Sequence, residues 1–386
     1  MNWSIKRRVD DTLLVTVVAL TLAGILLVFS ASWPVASQPR PDGTAGNAYQ
    51  FLVSQTMSAV IGGILCIAFA YVSPKWIHKA ALPLYLFSLL LMVLCFFDLG
   101  IVKGVTMGGA RSWLKIGPQL FQPSELAKLA LVLVLARCVG ATRQWPKQQG
   151  ETFVACMGLT LPVCGLCILQ PDLGTAVVAF CFGLIALFFA GINKYYLWMT
   201  TACAGAAGLF LAWVEPYRWE RIMAFLHPTE DTANSGYQIA RMLITVSRGG
   251  VFGQGLGLSK EKWIALPARH TDSIFCVVAG ELGIIGSAAL VVAFFFLARQ
   301  AVILARSQPD LFSAVLIASL GTSIALQAFI NMGVACGALP CTGLTLPFIS
   351  AGGSSLICTL VAAGMMLSLS RQSSSGEDDK SKCKAA

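Results

Sequence analysis

Residues 12–32 read TLLVTVVALTLAGILLVFSAS, an apolar run without a single charge. At about 1.5 Å of rise per residue, a helix of this length crosses a bilayer core of about 30 Å. Lys6, Arg7 and Arg8 precede it, as the basic end of a cleaved export signal would. The stretch exceeds the roughly 7–15 apolar residues of such a signal, and further runs follow, so it is read as a retained span.

Outward from it, nine more runs recur: Tyr49–Val72, Ala80–Leu99, Gln122–Arg137, Glu151–Leu169, Gly174–Ala190, Tyr195–Val214, Asp272–Ala298, Leu311–Val334 and Thr342–Ser370. Of 386 residues, 56% are hydrophobic and 12% charged, against about 25% charged in a soluble domain. The mean hydropathy is +0.75. The expected fold class is an all-α polytopic membrane protein with ten transmembrane helices. Residues 1–371 form one transmembrane domain, whose loop 215–271 joins helices seven and eight. Residues 372–386 are a short tail expected to lack fixed structure.

A formal net charge of +9 would suit a nucleic-acid partner, but its placement argues otherwise. With both termini cytoplasmic, the inner segments hold Lys6, Arg7, Arg8, Lys75, Lys79, Arg137, Arg143, Lys147, Lys194, Arg299, Arg306, Arg371, Lys380, Lys382 and Lys384, fifteen of the 27 basic residues. The short outer loops hold only Arg40, Lys103, Arg111 and Lys115. This is the positive-inside bias of a membrane protein, and no nucleic-acid partner is expected.

Most of the 13 cysteines lie in apolar runs, where cysteine packs as a small hydrophobe. Cys164 and Cys167 form a CxxC without a second ligand pair, so structural zinc is not expected. Cys336 and Cys341 flank the last outer loop and could bridge in an oxidising compartment.

Ionisable groups inside or at the mouths of spans are costly there and mark candidate sites. Glu125 and Lys128, at i and i+3 on the fourth helix, are expected to pair, either structurally or with the cation offered to a substrate. Asp172, in QPDLGTA at 170–176, suits an N-cap. His270 and Asp272 stand in HTDSIF at 270–275. Asp272 could cap the eighth helix, or act as a base whose pKa is raised by partial desolvation. Glu281, nine positions on, is read as an inter-helix contact. LPFISAGGSSL at 346–356 places Pro347, Gly352 and Gly353 in the last apolar run, with Ser350, Ser354 and Ser355 as donors. A broken helix there would free amides for an anion; a packing kink is the plainer alternative.

The loop 215–271 carries Arg218, Arg221, Arg241, Arg248, Lys260, Lys262 and Arg269. Within it Ile239, Met242, Leu243 and Val246 follow i, i+3, i+4, i+7, which predicts an amphipathic helix on the membrane surface. Gly249, Gly250, Gly253, Gly255 and Gly257 match no nucleotide-binding pattern and read as turns. Arg111, Glu125, Lys128, Asp172, the cationic loop, Asp272 and the serine-glycine break all fall on the outer side. Cations, carboxylates and helix N-termini together point to an anionic, phosphate-bearing ligand.

Six strings then carry a resemblance: GGARSWLKIGPQLFQPSELAK at 108–128, QPDLGTA at 170–176, YRWERIMAFLHP at 217–228, GYQ at 236–238, GLGLSKEKWIALPARHTDSIF at 255–275 and LPFISAGGSS at 346–355. They resemble the SEDS family of bacterial cell-wall polymerases, the group of FtsW, RodA and SpoVE, from the first span to the last. The motif wording is closer to the division branch than to the elongation branch. The resemblance implies ten transmembrane helices with a large extracytoplasmic loop after the seventh. It implies polymerisation of lipid II disaccharide units into peptidoglycan at the outer face of the cytoplasmic membrane, at the division septum. It also implies a class B penicillin-binding protein and other divisome membrane proteins as partners.

By the same resemblance the essential aspartate is Asp272. Substrate contacts are expected from Arg111, Glu125, Lys128, Asp172, Arg218, Arg221, Lys262, His270, Ser350, Gly352, Gly353 and Ser354. An α-linked diphosphate donor and a β-linked product require inversion, with Asp272 taking the proton of the acceptor 4-hydroxyl and cations, Mg²⁺ among them, holding the diphosphate. The family often reads LPEAHTD where this chain has LPARHTD, and paired glutamates where it has Gly280 and Glu281. Arg269 is therefore expected to lower the pKa of Asp272. The alternatives are a flippase for the lipid-linked precursor and a non-catalytic scaffold for the transpeptidase.

Overall fold

A computed structural model describes residues 10–37, 46–100, 102–117, 119–142, 148–227, 235–264 and 266–384. Lys6, Arg7, Arg8, Arg40, Arg143, Lys147 and Pro228 lie outside them, as do the side chains of Tyr217 and of the tail from Gln372, Lys380, Lys382 and Lys384 included.

The chain is mostly helical. Among the described residues eight helices are long and apolar enough to cross a membrane: α1 (Asp11–Ala36), α2 (Gln50–Tyr71), α3 (Pro74–Leu94), α5 (Gln149–Leu169), α7 (Lys194–Val214), α11 (Ile274–Arg306), α12 (Leu311–Ala335) and the Gly353–Arg371 part of α13 (Gly353–Lys384). The fourth and sixth expected spans coincide with α4 (Pro123–Gly140), which carries Glu125, Lys128 and Arg137, and α6 (Leu173–Phe189), only 17 residues long. α12 and α13 are largely enclosed by the other helices, whereas α7 leaves nearly its whole surface outside.

Several boundaries differ from expectation. α3 begins at Pro74, whose missing N–H is harmless in a first turn, and ends at Leu94 rather than Leu99. α11 continues to Arg306. Residues 341–352 hold no helix and are turns and irregular chain, so the last run is an irregular segment leading into α13 and not an interrupted helix.

The all-α expectation is corrected at residues 98–121, which form an antiparallel four-stranded sheet of β1 (Asp98–Leu99), β2 (Val102–Met107), β3 (Ala110–Ile116) and β4 (Gln119–Phe121) in sequence order. Gly108 and Gly109, at φ 59 and 86, make the two-residue turn between β2 and β3, the positive-φ pair that a tight hairpin prefers. Ser112 and Leu114 are buried on one face while Lys115 stays exposed.

The loop 215–271 holds α8 (Pro216–Leu226), α9 (Ser235–Gly249) and α10 (Glu261–Ile264). α9 is the expected amphipathic helix, but its apolar face meets protein and not lipid: Ile239 and Met242 are buried, and α9 packs on α11. Its polar side is fixed by Arg241 and Arg248, both paired with Glu261. The glycines after it are turns, with Gly250, Gly253, Gly255 and Gly257 at positive φ.

Those turns repair a break in α11. Gly283 leaves the helix at φ 65, ψ −159. In a regular helix the amides of Ile284 and Ile285 would reach the carbonyls of Gly280 and Glu281. Here Ile284 N donates to Gly250 O at 3.0 Å and Ile285 N to Val251 O at 3.3 Å, while Gly280 O and Glu281 O accept from Gln254 N and Gly255 N at 2.9 and 3.0 Å. All four freed backbone groups are satisfied, as the absence of water at membrane depth demands.

Candidate functional site

Asp272 lies in a tight turn just before α11. Ala268, at φ 47, opens the turn, and its carbonyl accepts from Thr271 N and Ser273 N, both at 3.1 Å. The N-cap of α11 is Ser273, so the capping role considered for Asp272 is not the one it has. Its backbone carbonyl accepts from Asn331 Nδ2 of α12 at 3.0 Å.

The turn is held against the 341–352 segment. Ser350 Oγ donates to Thr271 O at 2.6 Å and accepts from Leu346 N at 2.8 Å. Ala351 N donates to His270 O at 2.8 Å. Asn331 Nδ2 also reaches Leu344 O at 2.7 Å, and Gln55 Nε2 of α2 reaches Ser350 O at 3.2 Å. Ser354, in the first turn of α13 behind Gly352 and Gly353, accepts from Gln122 N at 3.1 Å. The Asp272 turn, α2 and α12 thus fix the strip of backbone at 341–352.

Burial pushes the Asp272 carboxyl up to about 6; Arg221 opposes the rise, Asp172 adds to it, and a bond with Thr271 opposes it again. The lowering expected from Arg269 is not found, because Arg269 bears on His270 instead, whose pKa falls through burial and that neighbouring charge. Arg221 Nη1, on α8, also donates to Cys341 O at 3.4 Å. Arg218 is half-buried one turn earlier on the same helix.

Asp172 is the predicted N-cap of α6: Oδ1 accepts from Thr175 N at 3.0 Å and Oδ2 from Thr175 Oγ1 at 2.8 Å. The sheet is tied to this corner by Arg111 N, which donates to Gln170 O at 3.2 Å. The Arg111 side chain itself pairs with Asp98 at 3.1 Å near the surface.

Glu125 and Lys128 pair at 2.9 Å with side chains only 9% and 3% exposed. Lys128 Nζ also donates to Gln327 Oε1 at 2.8 Å, and Gln327 Nε2 donates to Thr345 O at 3.0 Å. This chain runs along a narrow cavity lined by Glu125, Lys128, Phe182, Gln327, Pro347 and Thr359, so the pair braces the 341–352 segment from beneath.

Lys262 departs from the expected role. It is 1% exposed and its Nζ is enclosed by Glu281, Ser30 O and Ser30 Oγ, a buried ion pair between loop, α1 and α11. Glu281 is the inter-helix contact predicted. Cys164 and Cys167 are buried and unbonded, and Cys336 and Cys341 are free thiols, so the bridge considered for them is not formed.

Asn331 and Gln327 escaped the sequence reading although a signal existed: two amides at i and i+4 on one face of an apolar helix are costly unless bonded. No group of three or more His, Cys, Asp and Glu side chains that could hold a metal is present among the described residues. These residues do not make a cage for Mg²⁺.

The fold and site define a polytopic helical membrane protein with a desolvated carboxylate beside a guanidinium at one end of its bundle. The chain belongs to the cell cycle protein family of FtsW, RodA and SpoVE, whose model matches residues 11–375. It is 36% identical to stage V sporulation protein E of Bacillus subtilis over 95% of this chain and 99% of that one. It is 37% identical to a protein of Geobacter metallireducens named probable peptidoglycan glycosyltransferase FtsW, over 96% of each. Among solved structures it matches a chain reported under "Structural coordination of polymerization and crosslinking by a peptidoglycan synthase complex", at TM-score 0.74 and 31% identity over 96% of this chain and 98% of that one. It also matches the rod shape determining protein RodA of Thermus thermophilus, at TM-score 0.67 and 30% identity over 96% and 98%. Membership makes it an integral protein of the bacterial inner membrane.

Proposed function

We propose that this protein is a peptidoglycan glycosyltransferase that polymerises lipid II at the outer face of the cytoplasmic membrane, for septal wall synthesis in cell division. The observation that carries the mechanism is the Asp272 carboxyl, raised to about 6 by burial and still drawn toward ionisation by Arg221. A carboxylate so placed is basic enough to take a proton yet ionised at neutral pH.

Asp272 removes the proton of the acceptor 4-hydroxyl as its oxygen attacks the anomeric carbon of the donor. The bond to the donor diphosphate breaks, the configuration inverts, and the diphosphate leaves with its electron pair. Arg221, with Arg218 one turn away, holds the departing charge. Ser350 and Asn331 keep the reacting turn in register, and Glu125, Lys128 and Gln327 support the segment opposite. Mg²⁺ would find its ligands mainly in substrate phosphates.

Ten spans with both termini cytoplasmic and the loop 215–271 outside place these residues beyond the membrane. The positive-inside count supports this topology. The expected partners are a class B penicillin-binding protein and other divisome membrane proteins. The similarity to a chain from a peptidoglycan synthase complex, described in terms of polymerization and crosslinking, supports the transpeptidase. The test is polymerisation of purified lipid II by the protein copurified with its transpeptidase, native against Asp272→Ala. Glycan strands from the native complex alone are expected. Equal polymer from both removes Asp272 as the base, and none from either favours a flippase or scaffold.

A further inference from the structure

A second cluster of cations lies a full helix length from Asp272. α13 starts at Gly353, directly after the segment that bonds the Asp272 turn, and its 19 residues to Arg371 rise about 28 Å. At that far end the turn between α2 and α3 gathers basic side chains from three spans. Arg371 Nη1 donates to Ala70 O at 3.2 Å, and its guanidinium lies 4.3 Å from the centre of the Tyr71 ring. Arg137 Nη1, from the last turn of α4, is 3.3 Å from His78 O and 3.4 Å from Lys79 O. Lys79 Nζ lies 5.2 Å from the centre of the Trp76 ring.

Lys75 and Lys79 stand one turn apart at i and i+4 and are both exposed, while Ile77 and Ala81 on the other side of the helix are buried. Like charges at this spacing repel. No carboxylate among the described residues forms an ion pair with Lys75, Lys79 or Arg137; the ion pairs there involve Arg111, Lys128, Arg241, Arg248 and Lys262. Asp310 is brought near by Phe312, whose ring meets that of His78 at 4.9 Å, but it serves as the N-cap of α12, accepting from Ser313 N and Oγ at 2.9 and 3.0 Å. Tyr71 and Trp76 are 71% and 67% exposed. Such rings settle at the headgroup level of a bilayer, with their apolar body toward the acyl chains and their polar edge toward water. Exposed ammonium groups and interfacial rings around one turn are what an anionic headgroup requires.

We propose that the α2–α3 turn binds the headgroup of an anionic phospholipid of the bilayer, with Lys75 and Lys79 on its phosphate and Trp76 against its acyl chains. The basic residues mark this end of the bundle as the inner one, so the lipid comes from the cytoplasmic leaflet. The site does not depend on the polymerase reading. A bound lipid ties together the inner ends of α3 and α4, and α4 carries Glu125 and Lys128 at its other end.

The test titrates the full chain in detergent with phosphatidylglycerol or phosphatidylcholine and counts the lipids retained by native mass spectrometry. The native protein should retain phosphatidylglycerol in preference. Lys75→Gln combined with Lys79→Gln should weaken that retention about 30-fold, the effect of two cations at a membrane surface, whereas Lys75→Arg with Lys79→Arg should keep it. Lys194→Gln with Arg306→Gln removes two exposed charges from the inner ends of α7 and α11 and should bind as the native protein does. Because Lys75 and Lys79 are exposed, the melting temperature in phosphatidylcholine should be the same for all variants. Phosphatidylglycerol should raise it in the native protein and not in the double glutamine variant. Equal retention by the double glutamine variant and the native protein overturns the site. So does an equal fall from Lys194→Gln with Arg306→Gln, which makes the effect one of net charge. Displacement of phosphatidylglycerol by inorganic phosphate at equal concentration also overturns it, by assigning the turn to a soluble anion.

Discussion

Ser350 Oγ donates to the carbonyl of Thr271 at 2.6 Å, joining the irregular segment before α13 to the turn that carries Asp272. The same oxygen accepts from the buried Leu346 amide at 2.8 Å. Ser350→Ala leaves both backbone groups unmatched, a loss of about 1–3 kcal/mol for each buried group. Polymerisation should fall further than the melting temperature of the detergent-solubilised protein indicates, because the turn loses its register. A purely proportional loss of folded protein and activity would contradict this.

The raised Asp272 pKa fixes the sign of two pH effects. Below about 6 the carboxyl is increasingly protonated, so polymerisation should rise with pH through that value and level off above it. For stability, the unfolded carboxyl titrates near about 3.9, so the folded state favours the protonated form. Its contribution to stability is greatest below the unfolded value and is lost as the pH climbs to about 6. Asp272→Asn should lower polymerisation about 10²–10⁴-fold and raise the melting temperature at neutral pH. A melting temperature that fell with the activity would make Asp272 structural.

Arg221 draws Asp272 toward ionisation, and Arg221→Gln removes that influence. The acid limb of the pH profile should move to higher pH while the plateau rate drops. An unmoved limb with a reduced plateau would assign Arg221 to the diphosphate alone.

Lys262 and Glu281 form a buried pair braced by Ser30. Lys262→Met strands a buried carboxylate and should cost about 3–5 kcal/mol, whereas adding Glu281→Leu should recover much of it. A double-mutant cycle on melts in detergent reads the coupling. Additive losses would mean that the two side chains do not depend on one another.

Gly283 combines φ 65 with a position where a methyl group would sit 2.4 Å from both Gly253 N and Val251 O. Gly283→Ala should abolish most folded protein, judged by monodisperse yield. Gly257 shares the left-handed backbone, at φ 82, but faces open space. Gly257→Ala should therefore lose only the conformational term of about 1–2 kcal/mol.

Apolar runs of bilayer length are a one-dimensional property, so the positions of the long helices followed from the sequence, as did the caps and pairs made within one helix end. Asp172 caps its own helix, and Glu125 meets Lys128 one turn on. The Gly108–Gly109 turn was also readable, yet the strands around it carry Lys103, Arg111 and Lys115 and read as a short outer loop between two apolar runs. Lys262 looked like any other loop cation until the fold placed it against Glu281 and Ser30. The turn at Asp272, the Ser350 and Asn331 bonds that hold it, and Arg221 beside it come from segments far apart in the chain. Charge, burial and hydrogen bonding between such segments depend on distance in three dimensions. The sequence by itself therefore determined which residues could do the chemistry, and only the tertiary structure decided which of them are desolvated, paired and aimed at one another.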